Sequence, residues 1–337
     1  MVENLTNRFW KFIKRPEGNA YDEAFTLEET PLVAPVDGQV IVKNQYLSLD
    51  AGTRMWITGR EDGYQPPLDL NIPMVGLGVG EVIASSDPNF VEGDLVRGFG
   101  QWADYSVVTA ELSGLMKLDK SIDDIRQHLG VLGFTGWTGM WGIMETGEAK
   151  AGENVLVSAA GGAAGMVACQ IAKNLGCNVY GTAGGADKCA FLEKEFGITA
   201  IDYKSENMEE RLAQIEGGID VYFDNVGGPQ LDAVFPNMAN YGRIAISGLI
   251  AEYSGQPTHP ARFDQILMKR LTVKGFFSPD FADQGPRLTE ALKEQYLAGK
   301  LNMPFDVTDG LDNMLAAYTK LFTGGNIGKT LVKLFKA

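Results

Sequence analysis

Residues 154–165 read NVLVSAAGGAAG, an apolar run that passes into Ala159-Ala160-Gly161-Gly162-Ala163-Ala164-Gly165, a turn made only of glycine and alanine. Such small residues let backbone N–H groups approach a pyrophosphate, and the N-terminus of a following helix adds partial positive charge. A glycine-rich turn by itself is weak evidence, because the same residues serve tight packing of a helix on a sheet. The surroundings decide between the two. Downstream, short apolar runs alternate with amphipathic segments: NVYGTAG from Asn178, AIDY from Ala200, IDVYFDNVG from Ile219, RIAISGLI from Arg243 and TVKGFF from Thr272. With the first run they make six strand candidates, and helices are expected to begin near Ala163, Asp187, Asn207, Pro229 and Phe263. Strands alternating with helices of about ten residues predict an α/β, doubly wound parallel sheet, and six strands match the full Rossmann dinucleotide-binding fold.

Upstream the pattern is different. Residues 38–50, GQVIVKNQYLSLD, alternate around β-branched and aromatic side chains. Residues 79–108 hold further strand-like runs, broken by Asp87-Pro88, Glu92-Gly93-Asp94 and Gly98. A small twisted sheet or barrel is expected. The Gly- and Trp-rich stretch from Leu129 to Met144 has near-helical spacing and predicts buried helices joining two domains. The length of 337 residues agrees with two domains at roughly 150 residues each. A last helix is expected near Arg287 to Ala298, and the chain ends in the strand-like KTLVKLF from Lys329.

Composition narrows the functional classes. Asp plus Glu number 43 against 29 Lys plus Arg, a net charge of −14 that repels phosphate backbones and anionic lipid, so neither nucleic acid nor a membrane surface is an expected partner. Residues 155–172 carry no charge over a membrane-like length, but glycines, Ser158 and Gln170 within them favour a buried strand and helix. Cys169, Cys177 and Cys189 are odd in number and lack CxxC spacing, so they predict no disulfide framework, a reducing cytoplasmic setting, and packing as small hydrophobes. With only His128 and His259 available, no metal site is expected, and both histidines read as structural or solvent-facing. The N-terminal MVENLTNRFWKFIKRPEG is punctuated by charge and reads as no secretory signal.

Cofactor choice in this fold is made at the end of the second strand, where a carboxylate would bind the ribose 2′-hydroxyl of NAD. Here the chain reads Tyr180-Gly181-Thr182-Ala183-Gly184-Gly185, without a carboxylate; the next charges are Asp187 and Lys188. Lys188, with Tyr203-Lys204 after the third strand, suits a 2′-phosphate, so NADPH is favoured over NADH.

AGENVLVSAAGGAAG, FDNVGG at 223–228, GRIAISGLI at 242–250, GDLV at 93–96 and the ending NIGKTLVKL together resemble the medium-chain dehydrogenase/reductase superfamily, over nearly the whole chain. Within it the chain is similar to the zinc-independent branch of alkenal double-bond reductases, prostaglandin reductases and bacterial curcumin reductases. The resemblance implies a GroES-like, β-rich catalytic domain built from residues 1–125 and 300–337, a Rossmann NADP-binding domain over residues 126–299, and a homodimer. It implies that Gly162, Ala163, Ala164 and Gly165 contact the pyrophosphate, Lys188 and Tyr203 the 2′-phosphate end, and Asn225 the nicotinamide half. Gly248, Leu249, Ile250, Phe276, Phe277, Ser278 and Asn326 would complete the cleft. Residues 73–81, PMVGLGVGE, lack the Gly-His-Glu motif of the zinc enzymes. Residues 50–54, DAGTR, stand where many double-bond reductases carry Asp-Pro-Tyr-Met-Arg, so one pocket tyrosine is missing; Tyr64 is a candidate replacement.

The implied activity is NADPH-dependent reduction of the carbon–carbon double bond of an α,β-unsaturated ketone or aldehyde. Quinone reduction on the same scaffold and a non-catalytic dinucleotide sensor are the alternatives. Reduction of an enone leaves an enolate that needs a hydrogen-bond donor. Tyr253, just beyond RIAISGLI, is the first candidate; Tyr64 and the cofactor ribose are the others.

Overall fold

In a computed structural model of the chain, which describes residues 2, 4–63, 65–253 and 258–335, the residues form two compact units. One comprises Met1–Leu129, Phe305–Gly325 and Lys329–Ala337, the other Gly130–Pro304 and Asn326–Gly328.

The first unit opens with β1 (Thr6–Phe12), β2 (Phe25–Pro31), β3 (Gln39–Ser48), β4 (Ile72–Pro73), β5 (Val75–Ser85), β6 (Leu95–Gln101), β7 (Tyr105–Thr109) and β8 (Met116–Lys117). The alternation expected over residues 38–50 is the long strand β3, which pairs antiparallel with both β5 and β7. Its core is aromatic: Tyr21, Trp102 and Tyr318 are buried, and their rings meet edge to face, with centroids 4.8 Å apart for Tyr21 and Tyr318 and 5.2 Å for Trp102 and Tyr318. Such contacts add to the burial of large apolar area.

The second unit begins with a helix at Phe134–Trp141 that runs into a single π-helical turn, Gly142–Thr146. Glycines at 136, 139 and 142 explain this stretch. A Cβ at Gly139 would lie 2.8 Å from Val167 Cβ, and one at Gly142 would lie 2.1 Å from the Phe223 ring, so only glycine lets the helix seat on its neighbours. Then follow β9 (Asn154–Val157), β10 (Asn178–Ala183), β11 (Thr199–Asp202), β12 (Ile219–Asp224), β13 (Met238–Ile246) and β14 (Thr272–Gly275). They form a six-stranded sheet in the order β11-β10-β9-β12-β13-β14, every pairing parallel. Central strands covered on both faces read as unbroken apolar runs, as they do here: residues 155–157 and 221–223 are fully buried. The intervening helices are α1 (Ala163–Asn174), α2 (Ala186–Phe196), α3 (Met208–Leu212), α4 (Gly228–Val234), α5 (Asp264–Lys269) and α6 (Gly285–Leu297).

The chain then returns to the first unit through β15 (Phe305–Asp309) and β16 (Lys329–Lys333). β16 lies between β15, to which it is parallel, and β3, to which it is antiparallel, in a seven-stranded mixed sheet.

Among the described residues no helix is long and apolar enough to cross a membrane. The cysteines differ from the expectation of three small hydrophobes. All are free thiols, but only Cys169 is fully buried; Cys177 is partly exposed and donates to the Lys150 carbonyl at 3.2 Å, and Cys189 is partly exposed on α2. The residue type alone does not report how much of a position a neighbouring element covers.

Candidate dinucleotide-binding site

The strand order of the second unit reverses between β9 and β12, and the crevice outside the carboxyl ends of such strands is where open α/β sheets bind ligands. Both ends are built for it. After β9, Ala159 adopts a φ of 47°, and the Gly162 N–H closes the turn on the Ala159 carbonyl at 2.9 Å. Gly162 is the N-cap of α1. A Cβ at Gly165 would lie 2.4 Å from the Ala159 oxygen, so a side chain there would push the helix off the loop. Gly165 therefore packs against the loop, and with Ala163 and Ala164 it forms the first turn after the Gly162 cap, where backbone N–H groups have no partner within the helix. The tail braces the loop from the other side. Gly328 N–H donates to the Gly161 carbonyl at 2.9 Å, and buried Asn326 donates from Nδ2 to the Gly328 carbonyl at 3.3 Å.

The end of β10 carries the second cluster. The aliphatic stem of Lys188 lies along Gly161, where an added Cβ would be 3.3 Å from Lys188 Cδ, so this lysine sits beside the glycine-rich loop. Tyr203 Oη and Lys204 Cε would each lie 2.8 Å from a Cβ at Gly184. Burial, then the nearby carboxylates led by Asp202, push the Cys189 thiol up to about 11, so it stays neutral next to Lys188.

At the end of β12, Asn225 is locked to the first loop. Its N–H donates to Ser158 Oγ at 2.8 Å and its Nδ2 to the Ser158 carbonyl at 2.7 Å. Behind it, one oxygen of Asp224 accepts from Ser158 Oγ (3.0 Å), Tyr222 Oη (2.8 Å), Val226 N–H (2.9 Å) and Gly227 N–H (3.0 Å). Burial raises the pKa of this carboxyl, against the pull of those donors. The Asp224 carbonyl also accepts from Ser247 and Gly248 N–H, and Ile250 N–H donates to the Asn225 carbonyl at 3.1 Å. The loop 248–253 is thereby folded onto Asn225. Within it Tyr253 Oη accepts from Leu249 N–H at 3.1 Å.

Of the remaining sequence candidates, Phe276 has its ring buried, tilted against Phe223 at 6.2 Å. Phe277 is exposed, and Ser278 Oγ lies 2.9 Å from Thr138 Oγ1. Tyr64 lies outside the described residues. His128 is buried in the first unit and His259 is exposed. Sequence reading overlooked Ser158, Asp202 and Asp224, because no residue pattern announces that a strand-end acid will turn inward onto backbone. Among the described residues no group of three or more His, Cys, Asp or Glu is arranged to hold a metal ion.

The sheet order, the small-residue loop at the switch point and the lysine laid over that loop define a dinucleotide-binding α/β protein joined to a β-rich unit. Residues 8–118 match a family model described as the N-terminal domain of oxidoreductase, and residues 163–294 one described as zinc-binding dehydrogenase. The chain is 35% identical to the NADPH-dependent curcumin reductase of Escherichia coli over 97% of both chains. It is 39% identical to the NADP(+)-dependent 2-alkenal reductase of Nicotiana tabacum over 87% of this chain and 86% of the relative. It is similar to the crystal structure of CurA in complex with NADPH from Vibrio vulnificus, with a TM-score of 0.91, 32% identity, and coverage of 98% of this chain and 100% of the other. The chain belongs to the medium-chain dehydrogenase/reductase superfamily, in the branch of the alkenal, prostaglandin and curcumin reductases.

Proposed function

We propose that this chain is an NADPH-dependent reductase that saturates the carbon–carbon double bond of an α,β-unsaturated ketone or aldehyde. The observation that carries this reading is its relationship, over 97% of both chains, to an NADPH-dependent curcumin reductase. The second unit supports it. Residues 162–165 would hold the pyrophosphate on the start of α1, and Lys188 and Tyr203 the 2′-phosphate, where a carboxylate-free turn favours the phosphorylated ribose. We assign Asn225, residues 248–250, residues 276–278 and Asn326 to the nicotinamide end. The first unit is our candidate for the GroES-like catalytic domain, and the second for the NADP-binding domain.

When bound, NADPH supplies a hydride to the β-carbon of the enone. Negative charge would then gather on the substrate carbonyl oxygen, where a positioned donor lowers the barrier, and a proton delivered to the α-carbon of the enolate would complete the saturated product. Tyr253 is our first assignment for this donor. A tyrosine hydroxyl both accepts and donates, so accepting from Leu249 N–H orients the ring while the O–H hydrogen serves another acceptor.

A homodimer is part of the proposal. β14 is an edge strand with all four residues exposed, and Phe263, Leu267 and Met268, in the segment that leads into it, are also exposed. An open strand edge flanked by apolar side chains is suited to a second copy of the same edge. Free thiols support a reducing, cytoplasmic setting.

Oxidation of NADPH, followed by absorbance with 2-alkenals, cyclic enones, aryl enones such as curcumin, and quinones, tests the reading. Turnover with at least one enone class, with the saturated product identified, is expected. Turnover with quinones alone, or tight NADPH binding with no turnover on the panel, would overturn it.

A further inference from the structure

The carboxylate missing from the end of the second strand is present on the strand beside it. Asp202 closes β11, paired in register with Ala183 at the end of β10. It is buried, and both of its oxygens are occupied: Oδ1 accepts from Gly185 N–H at 2.8 Å and Lys204 N–H at 3.1 Å, and Oδ2 accepts from Ser205 Oγ at 2.8 Å. Gly185 is the N-cap of α2, the helix that carries Lys188; Lys204 follows Tyr203. One side chain therefore ties the start of the Lys188 helix to the turn that presents Tyr203 and Lys204. Those two side chains in turn approach Gly184 so closely that an added Cβ would lie 2.8 Å from each.

On the reading that the cofactor is NADPH, we propose that Asp202 is a specificity-determining positioning residue: it holds the Gly184-Gly185 and Tyr203-Lys204 turns together so that Lys188, Tyr203 and Lys204 converge on the 2′-phosphate. The same acid, with its acceptors engaged by backbone and Ser205, does not offer a carboxylate to a free ribose diol. Charge alone argues the other way, because a carboxylate near a phosphate repels it. The sign of the effect of removing Asp202 is therefore informative. Its hydrogen bonds, which hold the carboxyl below its ordinary pKa, turn the charge toward N–H and O–H donors of its own two turns.

The test is calorimetric binding of adenosine 2′,5′-bisphosphate and of adenosine 5′-monophosphate, which differ only in the 2′-phosphate, to the whole chain and its variants. Wild type is expected to prefer the bisphosphate; no preference would overturn the NADPH reading and this proposal with it. Asp202→Ala is expected to weaken the bisphosphate by about 10-fold or more, the scale of one charged hydrogen bond, while the monophosphate stays within about 2-fold. Asp202→Asn, which keeps an oxygen for the Gly185 and Lys204 N–H groups, is expected to retain most of the preference. Gly184→Ala attacks the same convergence without touching Asp202, and is expected to show the same selective loss even where Asp202→Ala does not fold. Equal weakening of both ligands, or an Asp202→Ala or Gly184→Ala protein whose bisphosphate preference is intact or raised, would overturn the proposal.

Discussion

Lys329 and Asp50, 279 positions apart in the chain, form an ion pair within the first unit in which the lysine side chain is 2% exposed and the carboxylate 40%. Ser48 Oγ donates to the other carboxylate oxygen, and Thr53 Oγ1 donates to the Asp50 carbonyl at 2.7 Å. The pair ties the first residue of β16 to the end of β3. Removing Asp50 leaves an ammonium buried without its counter-charge, which costs about 3–5 kcal/mol in fully buried pairs. Because the carboxylate side is open to water, Asp50→Ala is expected to lower urea stability by about 2 kcal/mol, and Lys329→Met, which removes the buried charge itself, by less. An Asp50→Ala protein as stable as wild type would show that solvent already neutralises Lys329.

The aliphatic stem of Lys188 lies along Gly161, which brings this lysine beside the glycine-rich loop proposed to hold the pyrophosphate. Lys188→Ala is expected to raise the KM for NADPH by roughly 10- to 100-fold, the equivalent of one charged hydrogen bond, and to leave the NADH reaction nearly unchanged. Steady-state kinetics with both cofactors check this. An equal loss for the two cofactors would mean that Lys188 supports the loop and not the phosphate.

Tyr253→Phe keeps the ring and removes the hydroxyl that accepts from Leu249 N–H. If that hydroxyl meets the enolate, kcat is expected to fall by roughly 10- to 1000-fold, a range spanning single-donor and general-acid effects, with NADPH affinity preserved. Should turnover survive while cofactor affinity drops, Tyr253 orders the loop 248–253 and the donor is elsewhere.

His128 gives the fold a pH signature. Burial, then the charge of Arg97, holds this imidazole below its ordinary pKa of 6.5, with only partial opposition from the Asp119 carbonyl. Below about pH 6.5 the unfolded chain binds a proton at His128 that the folded chain refuses, so stability falls as pH falls; above it both states are neutral and the residue adds no pH dependence. Urea midpoints measured between about pH 7.5 and pH 5.5 should therefore decline, and the decline should be shallower in His128→Gln. An unchanged slope in the variant would place the acid sensitivity in other groups.

The fold of the second unit was legible for physical reasons that act locally. Central parallel strands must be apolar on both faces, so β9 and β12 stand out as runs such as Val155-Leu156-Val157 and Val221-Tyr222-Phe223. Helix starts followed: the expectations at Ala163, Asp187, Asn207, Pro229 and Phe263 fall within one residue of the observed first turns or their caps. The glycines at 136, 139 and 142 were visible as a pattern, but their purpose was not. Only the nearness of the Val131 carbonyl to Gly136, of Val167 to Gly139 and of the Phe223 ring to Gly142 makes a side chain there impossible.

By itself, the order of residues determined the strand and helix alternation, the small-residue turn after β9, and the absence of a carboxylate at the end of β10, since each depends on neighbours a few positions away. The tertiary structure alone decided that Asp202 reaches Gly185 across 17 residues, that Lys188 lies on Gly161, that Gly328 braces the glycine-rich loop, and that Asp50 meets Lys329. Hydrophobic periodicity reports which face of an element is covered. It carries no information about which polar atom on a distant segment arrives within 3 Å, because that is fixed by the packing of whole elements and by the requirement that buried donors and acceptors be paired.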